Sequence, residues 1–442
     1  MSIATAAITP PGPKGIALWK ALREMQKSPL DTFSRDIDTY GSIVHYSFPK
    51  RAFTIISDPV HVYRVLNGDA GHTSKDTFTY RQIGKFAGNG LFTANGEPWQ
   101  RYRPFYQKML SPGRVEAMST EMEKTIKCWL AESLSGMTSE KPIDIGFEMQ
   151  KLALRVVCRV LLGYPITDSI DTVCTAVQRV LKITNDRIRN PMFVQMELLS
   201  NSGSRFSQSL SVLQAFADDI IAYSRSMGAS SPFWDYLELE VAEAGEKEIR
   251  DQILTLFLAG HETTAAVLTW FFYLMALNPE WQERLRRDYV RMEEDRNSQT
   301  HGLLDCAIME TLRLYPPVWL FERKVKQEIR ISRYRIPAGS TVAIFCYHIH
   351  RNPKWWEDAG SFKPERFSGE SGKKIGRYTY LPFGGGPRYC VGSHFALQEL
   401  RMISGIMLER FRIHNFGQQS VTPQAGLTLR PNKRIQVILE EL

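Results

Sequence analysis

The stretch from Leu381 to Leu397, LPFGGGPRYCVGSHFAL, constrains this chain more than any other. An apolar lead-in meets Gly384, Gly385 and Gly386, then Arg388, a solitary Cys390 and Gly392. A helical pattern follows at once through Ala396, Leu397, Leu400 and Met402. Consecutive glycines permit positive φ and let a large flat ligand approach the backbone closely. A Cys among backbone amides just ahead of a helix N-terminus, with the cationic Arg388 nearby, is expected to have a lowered pKa. A lone thiolate held this way suits one axial bond to a haem iron. Read from the residues alone, a Gly-rich turn around a buried Cys fits as well.

The 442 residues could form two or three average domains or one large one, and suffice to bury a cofactor. The formal net charge of +8 is carried by scattered rather than blocked basic residues. That argues against nucleic-acid binding and suits a basic face for an acidic protein partner. The six cysteines, Cys128, Cys158, Cys174, Cys306, Cys346 and Cys390, form no CxxC pair. Their spacing opposes both a disulfide framework and a zinc site, and fits a reducing cytoplasm. All but Cys390 fall in apolar-periodic stretches and are expected to be inert core residues. The N-terminal MSIATAAITPPGPKG has neither a basic n-region nor a long apolar run, so no signal peptide or membrane anchor is expected. The apolar stretch Leu254 to Leu277 is interrupted by His261, Glu262 and threonines and reads as a buried helix.

Taken in order, residues 1–28 are a lead-in with a Pro/Gly-rich TPPGPK segment, and 42–48 with 52–57 predict a β-hairpin. Residues 69–96 read as a long irregular segment suited to covering a pocket. Helices are predicted over 97–110, 112–133, 147–162, 169–184 and 205–226, with a short strand at 141–145. The segment 185–204 reads as a variable loop. The longest helix spans 246–278, followed by helices to 292 and over 302–315. Residues 325–346 predict strands, 350–383 are irregular, a helix covers 393–410, and 427–439 predict a hairpin turning at Pro431-Asn432. Strands near residue 50 and after 325, with helices between, predict a mainly helical α+β chain whose small sheet joins distant segments. No repeat or linker divides it.

Further constellations carry chemistry. Ala259-Gly260-His261-Glu262-Thr263-Thr264 sits in mid-helix, where Gly, an acid and paired threonines are poor choices. Thr263 can bond back to the carbonyl four residues earlier and open the helix locally. The groove beside Ala259 and Gly260 leaves room for a diatomic ligand and water, with Glu262 as proton source and Thr263 as hydrogen-bond donor. A kink with satisfied polar groups is the alternative. Glu310-x-x-Arg313 places an ion pair on one helix face, worth a few tenths of a kcal/mol if exposed. Trp99-x-x-x-Arg103 puts an aromatic and a cation on one face.

The string Phe383-x-x-Gly386-x-Arg388-x-Cys390-x-Gly392 resembles the cysteine-ligand loop of the cytochrome P-450 monooxygenases. The segment from Ala259 to Thr264 is similar to that family's oxygen-activation motif. Glu310 and Arg313, with Arg366 in FKPERF, resemble its structural triad. The resemblance runs from about residue 30 to the C-terminus. It implies one haem domain over 1–442 with the P-450 fold, haem b on Cys390, and contacts from Ala259, Phe383 and Gly392. It implies haem-propionate partners in Trp99, Arg103, Arg323 and Arg388, with Glu322 a competitor for Arg323 and Gln100 standing where many members carry a base. Glu262 and Thr263 would deliver protons, and one oxygen atom from O2 would enter a C–H or C=C bond of a lipophilic small molecule. Segments 69–96 and 185–204 match the parts that vary with substrate. The expected pocket is Phe86, Leu91, Met192, Phe193, Leu256, Ala259, Val318, Trp319, Leu320, Leu427 and Thr428. Electrons would come from NAD(P)H through a reductase and a separate ferredoxin or flavodoxin, steered by Lys373, Lys374 and Arg377, with Arg101 and Lys108. A cytoplasmic monomer, acting in natural-product (secondary) metabolism, is expected. A peroxide-driven haem peroxygenase would not need the Glu262–Thr263 pair, and a haem sensor would not need proton delivery.

Overall fold

The computed structural model describes residues 8–48, 51–133, 141–190, 202–228, 231–235, 245–294, 302–417 and 420–442. Its axis is the helical run predicted over 246–278, which forms as Glu246–Leu256, a π turn at Phe257–His261, and Glu262–Leu277. Every residue from Thr264 to Met275 is buried, so this half has no solvent face. A helix apolar all round is core material. Helices Ile145–Val156, Leu303–Leu314 and Ser393–Arg410 pack around it. Among the described residues, no helix is long and apolar enough to cross a membrane.

The strands, in chain order, are β1 (Ile43–Phe48), β2 (Arg51–Ile56), β3 (Thr73–Ser74), β4 (Ile143–Asp144), β5 (Phe321–Val325), β6 (Ile329–Ile331), β7 (Tyr334–Ile336), β8 (Thr341–Ile344), β9 (Phe411–Asn415), β10 (Pro423–Ala425), β11 (Leu429–Pro431) and β12 (Gln436–Glu441). The largest sheet has the order β1-β2-β8-β5-β3. Within it β2, the second strand of the predicted β1–β2 hairpin, pairs in parallel with β8, Phe53 facing Thr341. The small sheet thus joins segments far apart in sequence, as the placement of strand signals implied.

Some expectations change. The 69–96 segment contains a helix, Phe78–Ala87, capped by Thr77, whose side chain accepts from the Tyr80 N–H. Gln82, Ile83, Phe86 and Ala87 bury its inner face, and the flanking glycines had masked this periodicity. The 112–133 stretch breaks into Pro112–Ala117 and Ser119–Ser133. The helix expected to end at 184 continues to Arg189. The tail is not one hairpin: β10 pairs with β11, while β12 pairs with β9 and β4. Buried Val437 and Leu439 alternate in step with β9, and that apolar match decides the pairing. Cys158, Cys174, Cys306 and Cys346 are buried, but Cys128 is exposed.

The Glu310–Arg313 pair, which would be worth only a few tenths of a kcal/mol if exposed, is fully buried. Arg313 donates to Glu310 Oε2 at 2.7 Å and Oε1 at 2.8 Å, and to the carbonyls of His350, Ala359 and Ser361. Arg366 Nε and the Lys363 N–H both donate to Glu310 Oε1. The His350 ring, in turn, accepts from the Leu381 N–H at 2.7 Å through Nε2. Burial first, then the charge of Arg313, pushes the His350 pKa down to about 3, so the ring is neutral and free to accept. The triad therefore reaches the start of the Cys390 loop through one imidazole.

Removing one partner of a buried ion pair costs about 3–5 kcal/mol. Glu310→Gln should lower stability by that amount and raise amide exchange across Leu381–Cys390. A loss below about 1 kcal/mol in thermal denaturation, the scale of a surface pair, would show that the pair does not hold the loop.

Candidate functional site

The Cys390 loop is built by its glycines against the turn Arg64–Gly68. Gly386 has φ +69°, and a Cβ there would lie 2.2 Å from the Leu66 carbonyl oxygen. A side chain at Gly385 would meet the Tyr378 ring at 2.7 Å. The loop closes on itself through Cys390 N–H to the Phe383 carbonyl at 2.9 Å. Gly392 then caps helix Ser393–Arg410. The thiol opens into a cavity bounded by Phe383, Arg388 and Gly392 on its own loop and by Ala259, Gly260 and Thr263 on the π-turn side. Two elements distant in sequence thus face each other across one space.

The expected lowered thiol pKa is not what results. Burial pushes the Cys390 thiol up, and the Gly392 N–H, Arg103 and Lys75 pull against it. Arg388 is not among these influences: it donates to the Ala94 carbonyl at 2.7 Å and to Asn95 Oδ1, with its guanidinium over the Trp99 ring.

The cavity lining includes Lys75, Arg103, Arg323 and Arg388, and no Asp or Glu among its described residues. Arg103 Nε is buried without a hydrogen-bond partner. Burial lowers the Arg103 and Arg323 pKa values. Burial, then the Arg323 charge, brings Arg388 down to about 10. Buried cations gathered without carboxylates call for an anion between them. Glu322 does not compete for Arg323, because its carboxylate accepts from Thr79, while Arg323 donates to the Glu322 backbone carbonyl and hydrogen-bonds the Tyr80 side chain. The sequence reading missed Lys75. Its ammonium donates to the Phe92 carbonyl at 2.9 Å, lies over the Phe92 and Tyr80 rings, and is held well below its ordinary pKa by burial. Lys75 joins Arg103, Arg323 and Arg388 in the cavity lining, whereas Gln100 is exposed and outside it. A lysine at the edge of an aromatic, apolar segment was the available signal.

On the opposite wall, Thr263 Oγ1 donates to the Ala259 carbonyl at 2.6 Å, the back-bond expected from sequence, where the helix widens into its π turn. Glu262 turns elsewhere. It is 1% exposed, is not in the cavity lining, and accepts from Thr428 Oγ1 at 2.6 Å and from Arg430 Nε at 2.7 Å, with Arg430 Nη2 on its other oxygen. Of the expected pocket, Leu91, Leu256, Ala259 and Val318 line the cavity. Phe86 is buried in the main core instead, and Trp319 donates from Nε1 to the Gly426 carbonyl. Leu320 and Leu427 pack against core clusters, and the Thr428 hydroxyl is committed to Glu262. Met192 and Phe193 lie outside the described residues. Phe92, in the segment expected to cover a pocket, also lines the cavity, and Leu161 and Pro317 line it without having been anticipated.

The sequence model of the cytochrome P450 family matches residues 10–439, and the chain belongs to that family of haem-using monooxygenases. It is 27% identical over 433 residues to pentalenene oxygenase of Streptomyces avermitilis, covering 94% of each chain. It is 28% identical over 445 residues to cyclooctatin synthase of Streptomyces melanosporofaciens, covering 96% of this chain and 94% of that one. Human cytochrome P450 4V2 is 29% identical over 400 residues, covering 82% of this chain and 75% of its own.

The residues present fit a haem: a thiol on one wall, a buried cluster of cations for its carboxylates, and an aromatic at Trp99. Lys75→Met should weaken haem retention roughly tenfold, as for one lost charge-assisted hydrogen bond, read as faster transfer to an excess acceptor apoprotein. Unchanged transfer would remove Lys75 from the propionate set.

Proposed function

We propose that this monooxygenase inserts one oxygen atom into a lipophilic small molecule bound beside Ala259, with haem b held by Cys390. The observation that carries this reading is the Cys390 thiol facing Ala259 and Thr263 across a single cavity whose lining cations lack a counter-carboxylate. Haem supplies the oxygen activation when bound, with a thiolate ligand favouring O–O cleavage. Trp99, Lys75, Arg103, Arg323 and Arg388 orient and neutralise its carboxylates.

The chain's own residues do the rest. Leu91, Phe92, Leu161, Leu256, Pro317 and Val318 form apolar walls. They bind an apolar substrate by burial, at about 25 cal/mol per Å², orient it by shape and exclude bulk water. With its proton directed to the Ala259 carbonyl, the Thr263 oxygen presents lone pairs that can hold a water in the groove. Glu262 is the proton source behind it. A substrate class among terpenoids, fatty acids, polyketides or aromatic and peptide-derived natural products suits these walls. The relative named pentalenene oxygenase supports small-molecule oxygenation.

Electrons come from NAD(P)H through a reductase and a ferredoxin or flavodoxin docking on the Cys390 side. Lys373, Lys374, Arg377 and Lys108 are exposed, although Lys373 also pairs with Glu370, and they are the cations offered to such a partner. Arg101 is likewise exposed and paired, with Glu248.

Thr263→Ala should bind haem and substrate normally and consume NADPH, but divert reducing equivalents to peroxide and cut product several-fold. Tight coupling in that variant would make Thr263 a structural residue. Cys390→Ser should abolish the red-shifted Soret band of the reduced carbon monoxide complex, which single Ala variants at the other cysteines retain. A retained band would exclude Cys390 as the ligand.

A further inference from the structure

The Glu262 carboxylate is bound by two side chains of one hairpin, Thr428 in the turn between β10 and β11 and Arg430 in β11. Arg430 is the link that faces outward: its side chain is 32% exposed while that of Glu262 is 1% exposed. It lines a second, polar cavity of about 550 Å³, together with Asp144, Gln150, Gln178 and Thr269. Arg430 therefore stands between Glu262 and a space that contains another carboxylate. Asp144 caps helix Ile145–Val156 through Oδ1, and its Oδ2 lies 3.6 Å from Arg434 Nε.

The same hairpin is tied to the haem cavity. The Leu429 N–H donates to the Pro317 carbonyl at 2.9 Å, and Trp319 Nε1 donates to the Gly426 carbonyl at 2.7 Å. Pro317 and Val318 line that cavity. A molecule pressing on Pro317–Val318 pushes on the backbone that carries Thr428 and Arg430.

We propose that Arg430 is a positioning residue that latches Glu262, and that substrate against Pro317–Val318 releases the latch, letting Arg430 swing toward Asp144 in the second cavity. The inference rests on Glu262 being a proton source in turnover. A ligand can shift such an equilibrium only by contacting its two states differently, and the Pro317–Leu429 bond is the route by which a ligand against Pro317 would do so. While latched, Glu262 is committed to the guanidinium and hydroxyl. Released, it can take up and pass on a proton. An uncompensated buried carboxylate resolves its charge by protonation.

The test uses the haem-loaded full chain and two readouts. One is infrared difference spectroscopy of the carboxylic-acid C=O stretch in the resting, substrate-free protein. The other is NADPH oxidation without substrate, in the presence of a ferredoxin and its reductase. Arg430→Gln should show an acid C=O band at neutral pH that is lost in Arg430→Gln with Glu262→Gln. It should also raise substrate-free NADPH oxidation several-fold, and Arg430→Lys should restore both. Absence of the band with an unchanged substrate-free rate overturns the latch, even if thermal stability falls. If Glu262→Gln alone keeps product coupling at the parent level, the proton-source reading fails and the latch with it. Should Arg430→Gln fail to retain haem, Thr428→Val, which removes only the hydroxyl contact, is read in its place. A raised substrate-free rate supports the latch, and the parent rate overturns it.

Discussion

The buried Glu310–Arg313 pair is the interaction on which the site depends. Arg313 spends its guanidinium on Glu310 and on the carbonyls of His350, Ala359 and Ser361, so it fixes a stretch of chain that has almost no regular structure of its own. That stretch leads directly into the Cys390 loop, and the neutral His350 ring passes the constraint to Leu381. Two charges withdrawn from water are costly, and the arrangement is stable only because every oxygen and N–H direction is used. A helix would have held the segment more cheaply, but a helix cannot wrap a thiol toward a flat cofactor with consecutive amides exposed.

Much of this was legible in the sequence. The Cys390 loop, the central helix with its Thr263 back-bond, and the β1–β2 hairpin each carry a local signal: glycine spacing, a polar cluster in an apolar helix, or alternating strand residues with a turn. What was hidden is long-range. Thr428 reads as a pocket residue until Glu262 is seen beside it, and Lys75 reads as one more surface lysine until the Phe92 carbonyl and ring enclose it. The 427–439 hairpin failed for the same reason. Its local turn signal at Pro431-Asn432 was real, but the apolar match of Val437 and Leu439 with β9 was stronger. Burial also reversed the expected direction for the Cys390 thiol, because desolvation outweighs nearby amides and cations.

The clustering of Lys75, Arg103, Arg323 and Arg388 around the cavity is a conflict within the protein alone. Burial and the neighbouring arginines lower the preference of Lys75 and Arg388 for charge, burial alone lowers that of Arg103 and Arg323, and no acid relieves them among the described lining residues. Such a site is destabilising by itself and stabilising once an anion binds, so cofactor capture and folding stability are thermodynamically linked. The chain trades intrinsic stability for a strong preference to exist loaded.

The π turn at Phe257–His261 acts as a phase shifter. One extra residue per turn advances all later side chains by about 100° around the helix axis. Thr263 consequently faces the cavity while its neighbour Glu262 points to Arg430. Deleting Leu258 would return the helix to uninterrupted α geometry while leaving Ala259, Gly260, Glu262 and Thr263 all in the chain. It would nevertheless turn the upstream wall, Leu256 included, against the downstream Thr263. Length in this one turn, rather than composition, sets which residues of the central helix can act together.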